Sequence, residues 1–528
     1  MIQVNVRKLE RLLLSGAFAL LFILINGYQF NNGDQEEHLP YVYKLLNPSL
    51  YPNDYLVPKQ ISEFTVRYYF AHLLEIGGKF IKMDLLVFLI YFLCISITGY
   101  AISAIAEKKC NGSLAWRIAP FLIILVNGCT IGGNSILDVQ LTCSLLAIAF
   151  CSIGLVYNEK DQPISAALFC GLAALFQFLI GIQLFILIMT LLLFPFIKGN
   201  LQKIFKATLI FMLVSAPMLF PLFKQQFGAS NDGNEPFYHS ILFLFRNPNH
   251  YVPSCFPLKD VIKTITWWSI ILFSVYRARK SDSTSIPQLL FWTILGCAIY
   301  SLNFYFIGVA EITKLQWFKA TIWPTLLGTT AVAGFLSNSV GEKLMLRKDY
   351  NFFWIFICTV SLVTILNSKY FPIEKYSHRY KIGNYSPSAL ERMHSWIRNN
   401  TSLNAVILPL PNDDSFLCEA QRSIPVGYKA IIHEKHFMLD WYQKMGDIYG
   451  VQMNDSLCNE NVILRATNLY SSRPDSAIHS TIPIDFRIID RSTTALLPID
   501  SGIIIHQEGP YLLLKFYKNV DENVRSIN

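Results

Sequence analysis

Three carboxylates and an imidazole crowd into one short stretch of this chain, Gly33-Asp34-Gln35-Glu36-Glu37-His38-Leu39-Pro40. A carboxylate held near a reacting hydroxyl can take its proton as a general base, and Asp34 is best placed for that role. Glu37 supplies a second acid, and Gln35 and His38 offer hydrogen bonds to a bound substrate. A further acid, Asp54, stands in the Pro-rich aromatic turn Asn47-Pro48-Ser49-Leu50-Tyr51-Pro52-Asn53-Asp54-Tyr55. The same letters also suit solvated loop charges.

Two other segments carry groups that bind anions. In Phe245-Arg246-Asn247-Pro248-Asn249-His250-Tyr251-Val252-Pro253, the forked guanidinium of Arg246, with His250 and Tyr251 beside it, can hold a phosphate. In Lys314-Leu315-Gln316-Trp317-Phe318-Lys319, either lysine can neutralise a phosphate, and Gln316 adds a hydrogen-bonding amide. An aromatic and cationic belt at a membrane surface would use the same residues.

These segments must be positioned by elements suited to lipid. Of 528 residues only 15% are charged and 53% are apolar, against about 25% charged in a soluble domain, so a soluble enzyme is excluded. About 20 apolar residues span the hydrocarbon as a helix. The runs 12–28, 83–105, 118–129, 137–157, 164–178, 179–197, 204–223, 261–276, 286–309, 320–340 and 351–367 approach or meet that length, giving about 11 transmembrane helices. The run from 118 is short, and 164–197 reads either as a bent hairpin or as two half-deep helices. Asp138, Gln140, Gln177 and Gln183 are costly in hydrocarbon and are expected at helix contacts. The first run lacks a small-residue cleavage pattern and reads as a retained anchor.

The short segments that alternate on one side of these runs are basic, which places the N-terminus in the cytoplasm. The outer side then receives loops 29–82 and 224–260, a shorter loop around 311–319 and the C-terminal region. Residues 1–367 are expected to form a multi-pass membrane domain with catalytic outer loops. Residues 368–528 are expected to form a small extracytoplasmic α/β domain, in a setting such as the bacterial inner membrane. Its predicted elements are a helix from about 386 to 398, strands at 405–410, 423–430, 482–489, 502–506 and 511–516, and an amphipathic helix near 437–448. Asp413, Asp414, Arg422 and Lys429 could recognise an acceptor there, although simple folding roles suit them better, with Trp441 and Tyr442 as core anchors. Outer cysteines Cys255, Cys418 and Cys458 allow one disulfide and lack metal-ligand spacing. No basic tract suggests nucleic acid. No Gly-rich phosphate loop suggests ATP.

Taken together, these segments resemble the GT-C class of integral-membrane glycosyltransferases, and more closely a group of bacterial GT-C-like membrane proteins. The likeness rests on Asp34-Gln35 leading to His38-Leu39-Pro40 and Asp54, on Arg246 to Tyr251, and on Leu408-Pro409-Leu410-Pro411-Asn412-Asp413-Asp414-Ser415-Phe416. Tyr428-Lys429-Ala430 and Leu439-Asp440-Trp441-Tyr442 follow in the same order. The class pattern Asp-Glu is here Asp34-Gln35, which departs at its second position and leaves Asp34 alone as the implied base. The resemblance implies a mainly α, polytopic membrane fold and transfer of sugar from a polyprenyl-phosphate donor to a glycan, lipid or protein hydroxyl at the outer face. Membrane lipid would surround the donor, and the spacing does not decide whether a divalent metal takes part. Two rivals are a lipid-linked glycan flippase and a noncatalytic cell-envelope scaffold.

Overall fold

Backbone polar groups in hydrocarbon must be paired within their own segment, and the long apolar runs accordingly form helices. The computed structural model describes all residues except 1, 111–113, 195–197, 228–233, 279–284, 345–356, 360, 362–380, 382–384, 386, 430, 454–461, 493–502 and 517–528. Ten of the eleven predicted runs are helical at their centres, and the eleventh, 351–367, lies almost wholly outside the described residues. Among the described residues, helices Arg7–Asn26, Met83–Lys109, Asn200–Gln225 and Ser285–Ile307 are each long and apolar enough to cross a bilayer. Four shorter apolar helices accompany them: Ala115–Val126, Cys143–Glu159, Pro163–Phe176 and Phe178–Leu193. The chain is thus a mainly helical, multi-pass membrane protein with a small sheet towards its C-terminus.

Two compact units weave through the sequence. A helical unit takes Met1–Tyr28, Asp84–Lys224 and Asn249–Tyr380, and a mixed unit takes Gln29–Met83, Gln225–Pro248 and Lys381–Asn528.

Within the helical unit, the run expected over 137–157 becomes helical only at Cys143, where the Thr142 side chain caps the helix by accepting from Leu145 N at 3.1 Å. Before it, the Asn127 side chain ties down the backbone of Leu137 through both its amide atoms. Residues 164–197 form two separate helices, Pro163–Phe176 and Phe178–Leu193, broken at the extended residue Gln177. With 14 and 16 residues they reach about 21 and 24 Å, less than a full span. The two helices meet so closely that a Cβ at Gly181 would lie 2.5 Å from the Cys170 carbonyl oxygen and 2.6 Å from Ala174 N. Two of the expected amides act at contacts: half-buried Gln177 Nε2 donates to Ser144 Oγ on the helix from Cys143, and buried Gln183 Nε2 donates to the Leu315 carbonyl.

The mixed unit is built around a four-stranded sheet, β1 (Ile407–Leu408), β2 (Phe486–Asp490), β3 (Ile504–Glu508) and β4 (Tyr511–Lys515), in the order β1-β2-β4-β3. The β1–β2 pair is parallel and the other two pairs are antiparallel. The strand expected at 423–430 is absent among the described residues, and only Ser423 forms a bridge, to Val406. Helix Ala389–Asn400 starts at a full capping box, Ser388 with Glu391, so the cap falls two residues later than the sequence pattern suggested. Helix Lys435–Tyr449 buries Phe437, Met438, Trp441, Met445, Ile448 and Tyr449, and Trp441 Nε1 donates to the Gly427 carbonyl at 2.8 Å. Helix Val462–Ser472 was not among the elements expected from the sequence. The segment after the first span is itself helical in Leu39–Leu46, Val57–Ser62 and Tyr68–Gly78.

Because backbone rather than a flexible side chain faces Gly181, a Gly181→Val change should cost about 1–3 kcal/mol or more through overpacking. A lower thermal midpoint in detergent would register it, with Gly128→Ala, whose Cβ meets nothing within 4 Å, as an unaffected control.

Candidate functional site

The 3₁₀ turn Gly33–Glu37 decides which acid faces where. Gly33 takes a left-handed backbone (φ 62°), and Asn31 N donates to Gln35 Oε1 at 2.8 Å, locking the turn's entry. Asp34 then stands with 56% of its side-chain surface open, whereas the side chain of Glu37 keeps 9% and Glu36 is buried. Helix Tyr68–Gly78 begins next to Arg67, and a π-helical turn, Ile241–Arg246, ends on Arg246. Such turns displace a side chain from the ordinary helical register.

These segments deliver a compact array of charges. Glu37 pairs with Arg67 at 2.6 Å and with Arg246 at 3.6 Å. Lys429 stands between Asp34 at 3.4 Å and Asp414 at 3.3 Å. Arg246 links the two pairs: its Nη2 donates to the Lys429 carbonyl at 2.8 Å, and its guanidinium lies 4.8 Å from the Tyr428 ring centre. Its Nη1 donates to Asn247 Oδ1, while its buried Nε has no acceptor among the described residues. Three cations therefore oppose three carboxylates in this array.

Partial desolvation acts to raise the pKa of Asp34, but the charge of Lys429, helped by His38 and Arg67, outweighs it and holds the carboxyl below its ordinary value. Lys429 is stabilised as a cation in turn: burial lowers its pKa, yet Asp34 and Asp414 bring it above the usual lysine value. Burial, with Asp413 and Asp414 nearby, pushes the pKa of Glu36 well above its ordinary value. His38 is brought down to about 4 by burial and then by Arg67, which leaves a neutral imidazole packed edge-on against Phe70.

The remaining predicted residues have other places. Asp54 is buried and fully used: Oδ1 accepts from Leu56 N and Val57 N, and Oδ2 from Ile424 N, all near 3 Å. It ties backbone to backbone. Gln35 is held by the turn, and its carbonyl accepts from the Cys418 thiol. His250, Tyr251, Lys314, Gln316 and Lys319 belong to the helical unit. There His250 Nδ1 lies 2.8 Å from the Gly132 carbonyl, so that nitrogen carries the proton. The Tyr251 carbonyl accepts from Tyr300 Oη. Lys314 ends the short helix Ala310–Lys314, and Lys319 sits in the 3₁₀ turn Trp317–Thr321. Gln316 adopts a left-handed backbone (φ 47°), and its buried Oε1 has no donor among the described residues. Nearby, an apolar cavity of about 290 Å³ is lined by residues including Leu187, Trp292, Ile299, Tyr300, Leu315 and Trp317.

Arg67 went unnoticed in the sequence because it is a single cation with no motif around it. A second charged cluster was also illegible. His394, fully buried on helix Ala389–Asn400, faces Asp413 Oδ2 through Nε2 at 2.8 Å and Glu419 Oε2 through Nδ1 at 2.9 Å. Two acceptor-only partners require both ring nitrogens to donate, so the ring is an imidazolium. Lys381 joins the cluster through Glu419 and Glu391. Arg422, by contrast, spends its donors on the Arg398, Thr401 and Gln421 carbonyls and on Thr401 Oγ1, closing the end of the same helix. Among the described residues, no group of three or more His, Cys, Asp or Glu side chains could hold a metal ion. Cys255 is disulfide-bonded and Cys418 is a buried thiol.

A family model described as a domain of unknown function, DUF6798, matches residues 388–448. No curated protein matches the chain. Among solved structures, the crystal structure of ArnT from Cupriavidus metallidurans bound to undecaprenyl phosphate is similar, with 12% identity, a TM-score of 0.43, and coverage of 96% of this chain and 98% of that one. A likeness of that degree carries no functional argument here. The DUF6798 match does contain His394, Asp413, Asp414, Glu419 and Lys429.

Burial lowers the His394 pKa, but Asp413 and Glu419 reverse this and push it up to about 10; Asp413 is raised by burial yet brought below its ordinary value by His394 and Ser415. Their stabilisation is complete between roughly pH 4 and 6.5, fading as pH rises through the folded histidine value and as it falls through that of Asp413. Thermal melts by circular dichroism should therefore give a midpoint that declines from pH 6.5 towards 10. His394→Ala should cost about 3–5 kcal/mol and remove that alkaline slope. A variant with the wild-type slope would contradict the assignment.

Proposed function

We propose that the protein is a membrane glycosyltransferase of the GT-C type, moving a sugar from a polyprenyl-phosphate donor to a hydroxyl acceptor at the outer membrane face. The observation that carries this reading is the array in the mixed unit, where an accessible, ionised Asp34 stands beside Lys429 and a Glu37–Arg67–Arg246 cluster. Asp34 accepts the proton of the acceptor hydroxyl while that oxygen bonds to the anomeric carbon. The bond from that carbon to the donor phosphate oxygen breaks, and polyprenyl phosphate leaves. Arg246, with its unused Nε, and Lys429 stabilise the negative charge that develops on phosphate.

Other features support the same reading. The helical unit offers an apolar cavity of about 290 Å³, whose chemistry suits an isoprenoid chain. The disulfide at Cys255 suits an oxidising compartment, in keeping with an outer location and a cytoplasmic N-terminus. The acceptor is a glycan, lipid or protein hydroxyl. Glu37, held by two arginines, orients them rather than exchanging protons.

Purified protein supplied with a panel of polyprenyl-phosphate sugars should show turnover that Asp34→Asn reduces by about 10²–10⁴-fold, with the thermal midpoint retained. Since Asp34 is held below the ordinary carboxylate value, the acid limb of kcat/KM should lie below about pH 4. Undiminished transfer by the asparagine variant would defeat the reading. Lipid translocation without sugar transfer would favour a flippase.

A further inference from the structure

We infer that His394 is a positioning residue that sets the reactive geometry of Asp34 through Asp413, Asp414 and Lys429. The inference rests on the catalytic reading of Asp34 given above. Its starting point is a rigid anchor: the imidazolium has 0% side-chain exposure, Asp413 has 1%, and each ring nitrogen holds a carboxylate. The ring also packs edge-on against Phe416.

From this anchor the path to Asp34 is short. Asp413 Oδ2 is taken by His394, and Oδ1 accepts from both Ser415 N and Ser415 Oγ at 3.1 Å. Asp413 N donates to the Leu410 carbonyl, closing the turn. Neither rotation of the Asp413 side chain nor sliding of its backbone is then free. Asp414 follows directly and reaches Lys429 at 3.3 Å, which in turn reaches Asp34 at 3.4 Å. Because Asp414 is 42% exposed and Lys429 30%, these two side chains would sample many rotamers without a fixed base, and the pair would be weak. Fixing Asp413 fixes the root of Asp414, and so limits where the ammonium can stand.

The groups facing each end make the effect specific. His394 meets Asp413 and Glu419, with Lys381 and Glu391 behind Glu419. Asp34 meets Lys429, with His38 and Arg67 also acting on its charge. Lys429 joins the two sets by ion pairs, through Asp414, while Glu36 lies near Asp413 and Asp414 and the Cys418 thiol donates to the Gln35 carbonyl beside Asp34. Loosening the anchor frees Asp414 and so withdraws the cation nearest Asp34, while Arg67 and Glu37 keep their own ion pair.

The test uses full-length His394→Gln in detergent, where the amide can still donate to one carboxylate. Amine acylation at Lys429, read by peptide mass spectrometry, should accelerate several-fold relative to Lys59 and Lys79 of the same unit. The acid limb of the transfer profile should move to higher pH as Asp34 loses its neighbouring cation, with kcat lowered and donor KM little changed. If that variant does not fold, Ser415→Ala, which removes one hydrogen bond from Asp413, should show smaller shifts in the same directions. A folded variant with wild-type Lys429 reactivity and an unmoved acid limb would overturn the inference while leaving Asp34 as the base. Accelerated acylation together with an active Asp34→Asn enzyme would instead uphold the mechanical link and reject the catalytic reading.

Discussion

A carboxylate drawn out of water needs a cation within a few ångströms, and this requirement organises the mixed unit. Glu37 has almost no exposure, and two guanidiniums reach its carboxylate. Arg246 in turn is oriented by the Lys429 carbonyl and the Tyr428 ring. The array joins a turn after the first span, a π-helical turn near the chain's middle and a loop in the C-terminal region. The pairing works beside other polar ties between the same segments, such as Ile424 N to Asp54 and Tyr428 Oη to the Arg246 carbonyl.

Burial divides the acids into kinds that composition cannot distinguish. Asp34 is open and accompanied by a cation, which holds its pKa down; Glu36, two residues on, is enclosed near other carboxylates, which pushes its pKa up. Asp54 is enclosed as well, yet three backbone amides occupy its oxygens, so it serves the fold. The carboxyl group thus takes three roles, set by access to water and by the neighbouring donors.

Apolar runs announced the helices because helical length follows directly from the need to pair backbone groups in lipid. Their ends were less legible: the break at Gln177 and the late start at Cys143 depend on caps and contacts that periodicity does not encode. In the C-terminal region β1, β2, β3 and β4 fell where alternation suggested. The stretch 423–430 has the right residues for a strand, but Asp54 takes the Ile424 amide and Trp441 the Gly427 carbonyl, so ladder pairing gives way to side-chain bonds.

By itself the sequence determined that this is a multi-pass helical membrane protein, that acids gather after the first span, and that the tail is a small α/β region. Those properties are local: run length, charge density and alternation are read within a few residues. Only the tertiary structure decided that Arg67, Arg246 and Lys429 surround Glu37 and Asp34, and that His394 is a buried cation between two acids. Charge pairing acts through space over a few ångströms, between residues as much as 395 positions apart (429 − 34), and no spacing along the chain records it.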